Sequence, residues 1–110
     1  MNIEENIKEK VKENRIIWRG HALIRMMERD ISRVVVKKAL QNSRIVEEYP
    51  DDFPFPSFLV LGFYEDKPLH VVCSIGQDHL WIITIRGRRW PLATTPSRQN
   101  GSYRPGKPLL

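Results

Sequence analysis

Three side chains that carry or accept a proton, His21, Arg25 and Arg29, recur every four residues in Gly20-His21-Ala22-Leu23-Ile24-Arg25-Met26-Met27-Glu28-Arg29. In an α-helix this spacing puts all three on one side as a cationic stripe. A second histidine, His70, stands in Pro68-Leu69-His70-Val71-Val72, a stretch with strand character. A proton-transfer group beside fixed guanidinium groups is the equipment for attacking a phosphodiester. RNA cleavage through the neighbouring 2′-hydroxyl needs that proton removed, charge on the phosphate stabilised and the leaving oxygen protonated. Arginine suits the middle task, since its planar fork matches two phosphate oxygens and keeps its proton. Histidine suits the other two. His21, Arg25, Arg29 and His70 are therefore the candidate catalytic residues. Spacing alone also allows a plain solvated helix face and a strand histidine satisfied by its neighbours.

These residues need elements to hold them. Ile3, Ile7 and Val11 repeat every four residues among Glu and Lys, which predicts a short amphipathic helix ending near Asn14. Arg15 to Arg19 reads as a brief strand or an extended linker. Gly20 is a tolerable N-cap for the helix of the stripe, with Leu23, Met26 and Met27 as its buried side. Ser32 is a better N-cap for a further helix, Arg33 to Gln41, with Val34, Val35, Ala39 and Leu40 inward, although three valines favour a strand on propensity. After Asn42-Ser43 the period changes. Arg44 to Tyr49, Ser57 to Tyr64, Leu69 to Ile75 and Leu80 to Arg86 read as four strands. The breaks Glu65-Asp66-Lys67-Pro68 and Gly76-Gln77-Asp78-His79 have hairpin character. The expected fold is α+β: N-terminal helices packed on a four-stranded antiparallel sheet, in two layers. His70 would share a strand face with Val72 and Ser74. The proline-stiffened loop Pro50 to Pro56 carries Phe53 and Phe55 beside Tyr49, aromatic groups that could stack on bases, dock a partner or close over the core.

Length, charge and cysteine usage narrow the class. The chain has 110 residues, of which 41% are hydrophobic and 28% charged, ordinary values for one globular domain. The formal net charge is +5, but Arg86, Arg88, Arg89, Arg98, Arg104 and Lys107 follow Ile85 in a stretch with no acid, so the part before it is near neutral. Inside that part, Arg15 to Arg44 is basic and Ile45 to Ile85 is acidic, which makes any positive field local. Residues 1–90 are expected to form the domain and 91–110, a basic Pro/Arg/Gly-rich stretch, a disordered tail. Arg86, Arg88 and Arg89 are candidate RNA-binding residues. The N-terminus has no apolar signal core and no apolar run is long enough to cross a bilayer. With the single Cys73, this points to a cytoplasmic protein without membrane contact. There is no Cys-x-x-Cys, no His-x-x-x-His and no glycine-rich phosphate loop, so no metal or other cofactor is expected.

The segment His21-Ala-x-x-Arg25-Met26-x-x-Arg29-x-Ile31-Ser32 resembles the signature of a small bacterial domain-of-unknown-function family related to the RelE/ParE and BrnT-like toxins. Val46 to Asp52, Leu59 to Gly62, Pro68 to Val72 and Ile82 to Thr84 extend the resemblance over roughly residues 15–85. It implies a RelE-like fold and a toxin of a bacterial toxin–antitoxin pair that cleaves mRNA without a metal, in association with the ribosome. It also implies a cognate antitoxin of zinc-finger and helix-turn-helix type. On the matching positions it favours His21, Arg25, Arg29 and His70. The alternative is a non-catalytic protein-interaction module, or an RNA- or ribosome-binding protein, of the same fold. Similar sequences continue Ile-Ile-Thr with a Tyr-x-Pro segment and then a Trp. Here Thr84 is followed by Ile85-Arg86-Gly87-Arg88-Arg89-Trp90, and a site that uses this tyrosine would be incomplete.

Overall fold

The computed structural model describes residues 2–86. They run in the order α1 (Ile3–Lys12), β1 (Ile16–Trp18), α2 (Gly20–Glu28), α3 (Arg33–Gln41), β2 (Ser43–Tyr49), β3 (Ser57–Tyr64), β4 (Lys67–Gly76) and β5 (His79–Arg86). Arg88, Arg89 and the tail expected at 91–110 lie outside the described residues.

The Asn2 side chain caps α1 by accepting from the Glu5 N–H at 2.8 Å, and the helix buries Ile7 and Val11. It carries Glu4 and Glu5 in the first turn and Lys10 and Lys12 in the last, the arrangement its dipole favours. Asn14, at φ 59, turns the chain into β1. Arg19 rather than Gly20 is the N-cap of α2, without a side-chain bond, and Gly20 is the first helical residue. Ser32 does cap α3, accepting from the Val35 N–H at 3.2 Å. That cap, with Val36, Ala39 and Leu40 buried, holds the valine run helical against its propensity. Met26, Ala39 and Leu40 are buried and Leu23 and Val35 pack against the core as expected, but the inward sides differ from expectation at other positions. Ala22 and Val36 are buried, while Met27 and Val34 are 80% and 57% exposed. Phase decides this, not side-chain size: the i,i+4 line Ala22–Met26 faces the core, and Met27 sits one step round the helix from it.

The sheet order is β1-β5-β4-β3-β2. Strands β2 to β5 form the expected antiparallel meander, and its β3–β4 and β4–β5 connections are two-residue turns. Glu65, Asp66, Gln77 and Asp78 all have positive φ, as primed hairpin turns require. The sheet nevertheless has five strands and is mixed, not four-stranded and antiparallel. β1 lies parallel to β5, with Ile16, Ile17 and Trp18 opposite Leu80, Trp81 and Ile82. A three-residue strand whose partner lies at the far end of the domain leaves no local pattern to read, and only its extended character showed.

The helices cover one face. Ile7, Val36 and Leu40 are fully buried together with Val60, Leu69, Val71, Leu80 and Ile82 from the sheet. α3 packs so closely on β3 that a Cβ at Gly62 would stand 2.3 Å from the Ala39 carbonyl oxygen. Gly62→Ala must displace backbone, and a loss of about 1–3 kcal/mol or more is expected in chemical denaturation. Gly20→Ala meets no atom within 4 Å and should leave stability unchanged or slightly raised.

At the far end of the β4–β5 hairpin, Asp78 accepts from Lys10 Nζ at 3.1 Å and Arg15 Nη1 at 2.7 Å, tying α1 and the start of β1 to the turn. The Lys10 hydrogen bond, then the charge of Arg15, hold its carboxyl below the ordinary carboxylate range. A lowered folded-state value stabilises the fold above the unfolded-state value, about 3.9 for aspartate. That contribution disappears as pH falls through the folded-state value. Asp78→Asn is therefore expected to lower Tm slightly near neutrality, less so at high salt, with the difference closing in strong acid.

Candidate functional site

The other face of the sheet carries no helix among the described residues. Strand alternation and register set rows of side chains across it. Ser57, Ser74 and Trp81 are cross-strand neighbours, followed by Leu59, Val72 and Thr84, and then by Leu61, His70 and Arg86. The register of β5 slips by one residue opposite Val72 and Cys73, leaving Ile83 as the extra residue of a bulge. The first row and Ile83 form the floor of a cleft of about 420 Å³.

Its wall is the loop between β2 and β3. Phe55 packs against Trp81, with ring centroids 6.4 Å apart and planes tilted by 38°. Phe55 also lies flat enough on Gly76 that a Cβ there would come within 2.4 Å of the ring. The Trp81 indole N–H donates to the Gly76 carbonyl at 2.9 Å, which fixes the indole plane. Pro54 follows a cis peptide bond, and Phe53 beside it is 94% exposed at the edge of the cleft. Polar groups come from both the floor and the loop. Ser57 is 1% exposed, and its hydroxyl donates to the Asp52 carboxylate. Ser74 is 5% exposed, and its hydroxyl has no hydrogen-bond partner among the described residues.

The rim comes from the junction of β1 and α2. The Arg19 N–H donates to the Ile82 carbonyl at 3.1 Å, so the chain leaves β1 beside the middle of β5. Arg19, Gly20 and His21 then line the cleft at the first turn of α2. This end of a helix presents unsatisfied N–H groups and favours negative charge.

The four candidate catalytic residues are therefore distributed. His21 lines the cleft, and Arg25, Arg29 and His70 do not. Arg25 is on α2, while Arg29 is the non-helical residue that ends it, so the expected helical stripe stops short of its third member; both arginines approach Glu28 Oε1, at 3.7 and 3.6 Å. His70 faces away from the helices, as alternation predicts, opposite Leu61 and Arg86. It is four residues from Ser74, about 13 Å along the strand. Arg86, the last residue of β5, is exposed on that face. Tyr49 is also there. Its hydroxyl donates to Glu47, and this bond raises the phenol above its ordinary value, while the charge of Arg86 pulls it the other way. Sequence reasoning missed Arg19, Asp52, Ser57, Ser74 and Trp81. Ser74 was legible as a neighbour of His70 on one strand face, but pairing it with Ser57 and Trp81 needs the register of three strands. Among the described residues no group of His, Cys, Asp or Glu could hold a metal ion, and no helix is long and apolar enough to cross a membrane.

Cys73 points into the core, as alternation predicts, and burial pushes its thiol up to about 12. A protonated, enclosed thiol is neither nucleophile nor ligand. Alkylation of the native chain at mildly alkaline pH should be slower by about a hundredfold or more than in concentrated guanidinium. Similar rates in the two conditions would show that β4 is open to solvent.

Comparison with curated proteins and with solved structures gives no match. Residues 18–86, from the end of β1 to the end of β5, match the family described as Domain of unknown function (DUF4258). The matched region excludes α1 and includes the whole cleft. The chain belongs to the DUF4258 family.

Proposed function

We propose that this chain acts on RNA as a metal-independent ribonuclease, the toxin of a bacterial toxin–antitoxin pair with a RelE-like fold. The observation that carries this reading is the placement of His21 and Arg19 at the mouth of an aromatic-walled cleft. Bases stack on such walls, and a phosphate at the rim meets a guanidinium, a helix N-terminus and a proton carrier together. His21 is the proton-transfer group and Arg19 the first phosphate contact. Arg25 on α2 and Arg29 at its C-terminal end extend the positive charge away from the cleft, moderated by Glu28. His70 and Arg86 serve an RNA strand laid further along the same face. The order of helices followed by an antiparallel meander supports the RelE-like assignment. For the antitoxin, Ile24, Met27 and Val34 offer exposed apolar side chains on α2 and α3.

A second reading, RNA or ribosome binding without cleavage, is favoured by one observation: Glu28 offsets part of the charge of both stripe arginines. Induction of the wild type, His21→Ala and the double variant His21→Ala with Arg25→Ala in bacteria separates the two. The ribonuclease reading expects arrested growth and fragmented mRNA in the wild type. Fragmentation should fall about a hundredfold or more in the variants, in line with loss of a proton-transfer group. Equal growth and intact mRNA in all three cultures would sink it. Salt-sensitive RNA binding without new RNA ends would establish the binder.

A further inference from the structure

Resting on the RNA-acting reading, we infer that the cleft between the β2–β3 loop and the start of α2 is a nucleobase pocket that selects guanine. Size and walls suit a base: about 420 Å³, at the lower end of small-ligand clefts, with Phe53, Phe55 and Trp81 around it. Phe55 and Trp81 are held by each other and by Gly76, so an apolar surface is preformed. Phe53 leaves nearly its whole ring free to cover what enters. Aromatic walls with a carboxylate would also hold an organic cation. The rim argues against that occupant, because the Arg19 guanidinium on the same cleft repels a cation and suits the phosphate of a nucleotide.

The polar groups choose among bases. An ionised carboxylate only accepts, and it prefers two parallel N–H donors. The Asp52 carboxylate takes one bond from Ser57, which orients it, and keeps further lone pairs for a ligand. On the Watson–Crick edge, guanine alone among the four standard bases presents two adjacent N–H donors, at N1 and N2. Adenine sets a bare N1 beside its amino group, cytosine a bare N3, and uracil flanks its single N–H with two carbonyls. Each of these puts a lone pair against the carboxylate. Guanine's O6 then needs a donor. Ser74 is 5% exposed as a residue and lines the cleft, and its hydroxyl has no hydrogen-bond partner among the described residues. A hydroxyl in that position can donate to a carbonyl acceptor that enters the cleft.

The test titrates the full chain with 5′-GMP, 5′-AMP, 5′-CMP and 5′-UMP, following the Trp81 indole and Ser74 amide signals by NMR. GMP is expected to bind at least about tenfold tighter than the other three and to shift both signals. Asp52→Asn, which keeps the shape and exchanges an acceptor for a donor, should abolish the preference. If its circular dichroism departs from wild type, Ser74→Ala carries the comparison and should weaken GMP binding about tenfold while leaving CMP unchanged. Equal binding of the four nucleotides, no binding, preference retained in both variants, or tetramethylammonium bound in their place would overturn the inference. GMP preference in a chain that leaves RNA intact would keep the pocket and remove the ribonuclease. RNA cleavage without GMP preference would do the reverse.

Discussion

The pairing of β1 along β5 is the constraint on which the geometry of the cleft depends. Leu80 donates to the Arg15 carbonyl at 2.9 Å and Arg19 donates to the Ile82 carbonyl at 3.1 Å, so the short strand is held at both ends. Between them the three residues from Ile16 to Trp18 keep parallel register. Arg33 reaches over the Trp18 ring at 5.7 Å, which adds a contact from α3. With β1 fixed, the start of α2 is fixed, and the first turn of that helix falls beside the bulge at Ile83. Without the parallel strand, α2 could still bury Ala22 and Met26, but nothing would set where its N-terminus points.

The two sheet faces divide the labour by chemistry. The helix-covered face is almost wholly apolar, and its packing is close enough to need a glycine at Gly62. The other face mixes Ser57, Ser74, Thr84, His70 and Arg86 with Leu59 and Val72. Polar side chains at these positions contribute little to a core that lies elsewhere. β2 joins the two regions. Glu4 in α1 accepts from the Ile45 N–H at 2.8 Å, next to the register shift between Ile45 and Glu47, so a helix side chain satisfies a ladder group beside that shift.

Much of this was legible in the sequence, and the gaps have physical causes. α1, α3 and the four meander strands follow from period, caps and turn residues, because each depends on neighbours within a few positions. The strand of three residues was only half visible, since a parallel partner leaves no local trace. The inward sides of α2 and α3 were read correctly at Leu23, Met26, Val35, Ala39 and Leu40 and wrongly at Met27 and Val34, which lie one step round from the core-facing lines through Ala22 and Val36. The face of His70 was readable from alternation within β4 alone. The cleft was not. Asp52, Ser57, Ser74 and Trp81 come from a loop and three strands, and only register and bulge bring them together. The stripe of His21, Arg25 and Arg29 was visible as spacing, but Glu28 inside the same turn alters what its two arginines present to a ligand.

Phe53 leaves 94% of its surface in water at the edge of a cleft whose other aromatic rings are already packed. Covering such a ring is worth about 1.5–3 kcal/mol, and its hydrated surface carries a large heat capacity. Any flat partner that settles under or over it removes that surface from water. Association at this cleft would therefore be marked by a negative heat-capacity change and would shift from entropic towards enthalpic driving on warming. A contact confined to the cationic rim would lack that signature and respond to salt instead.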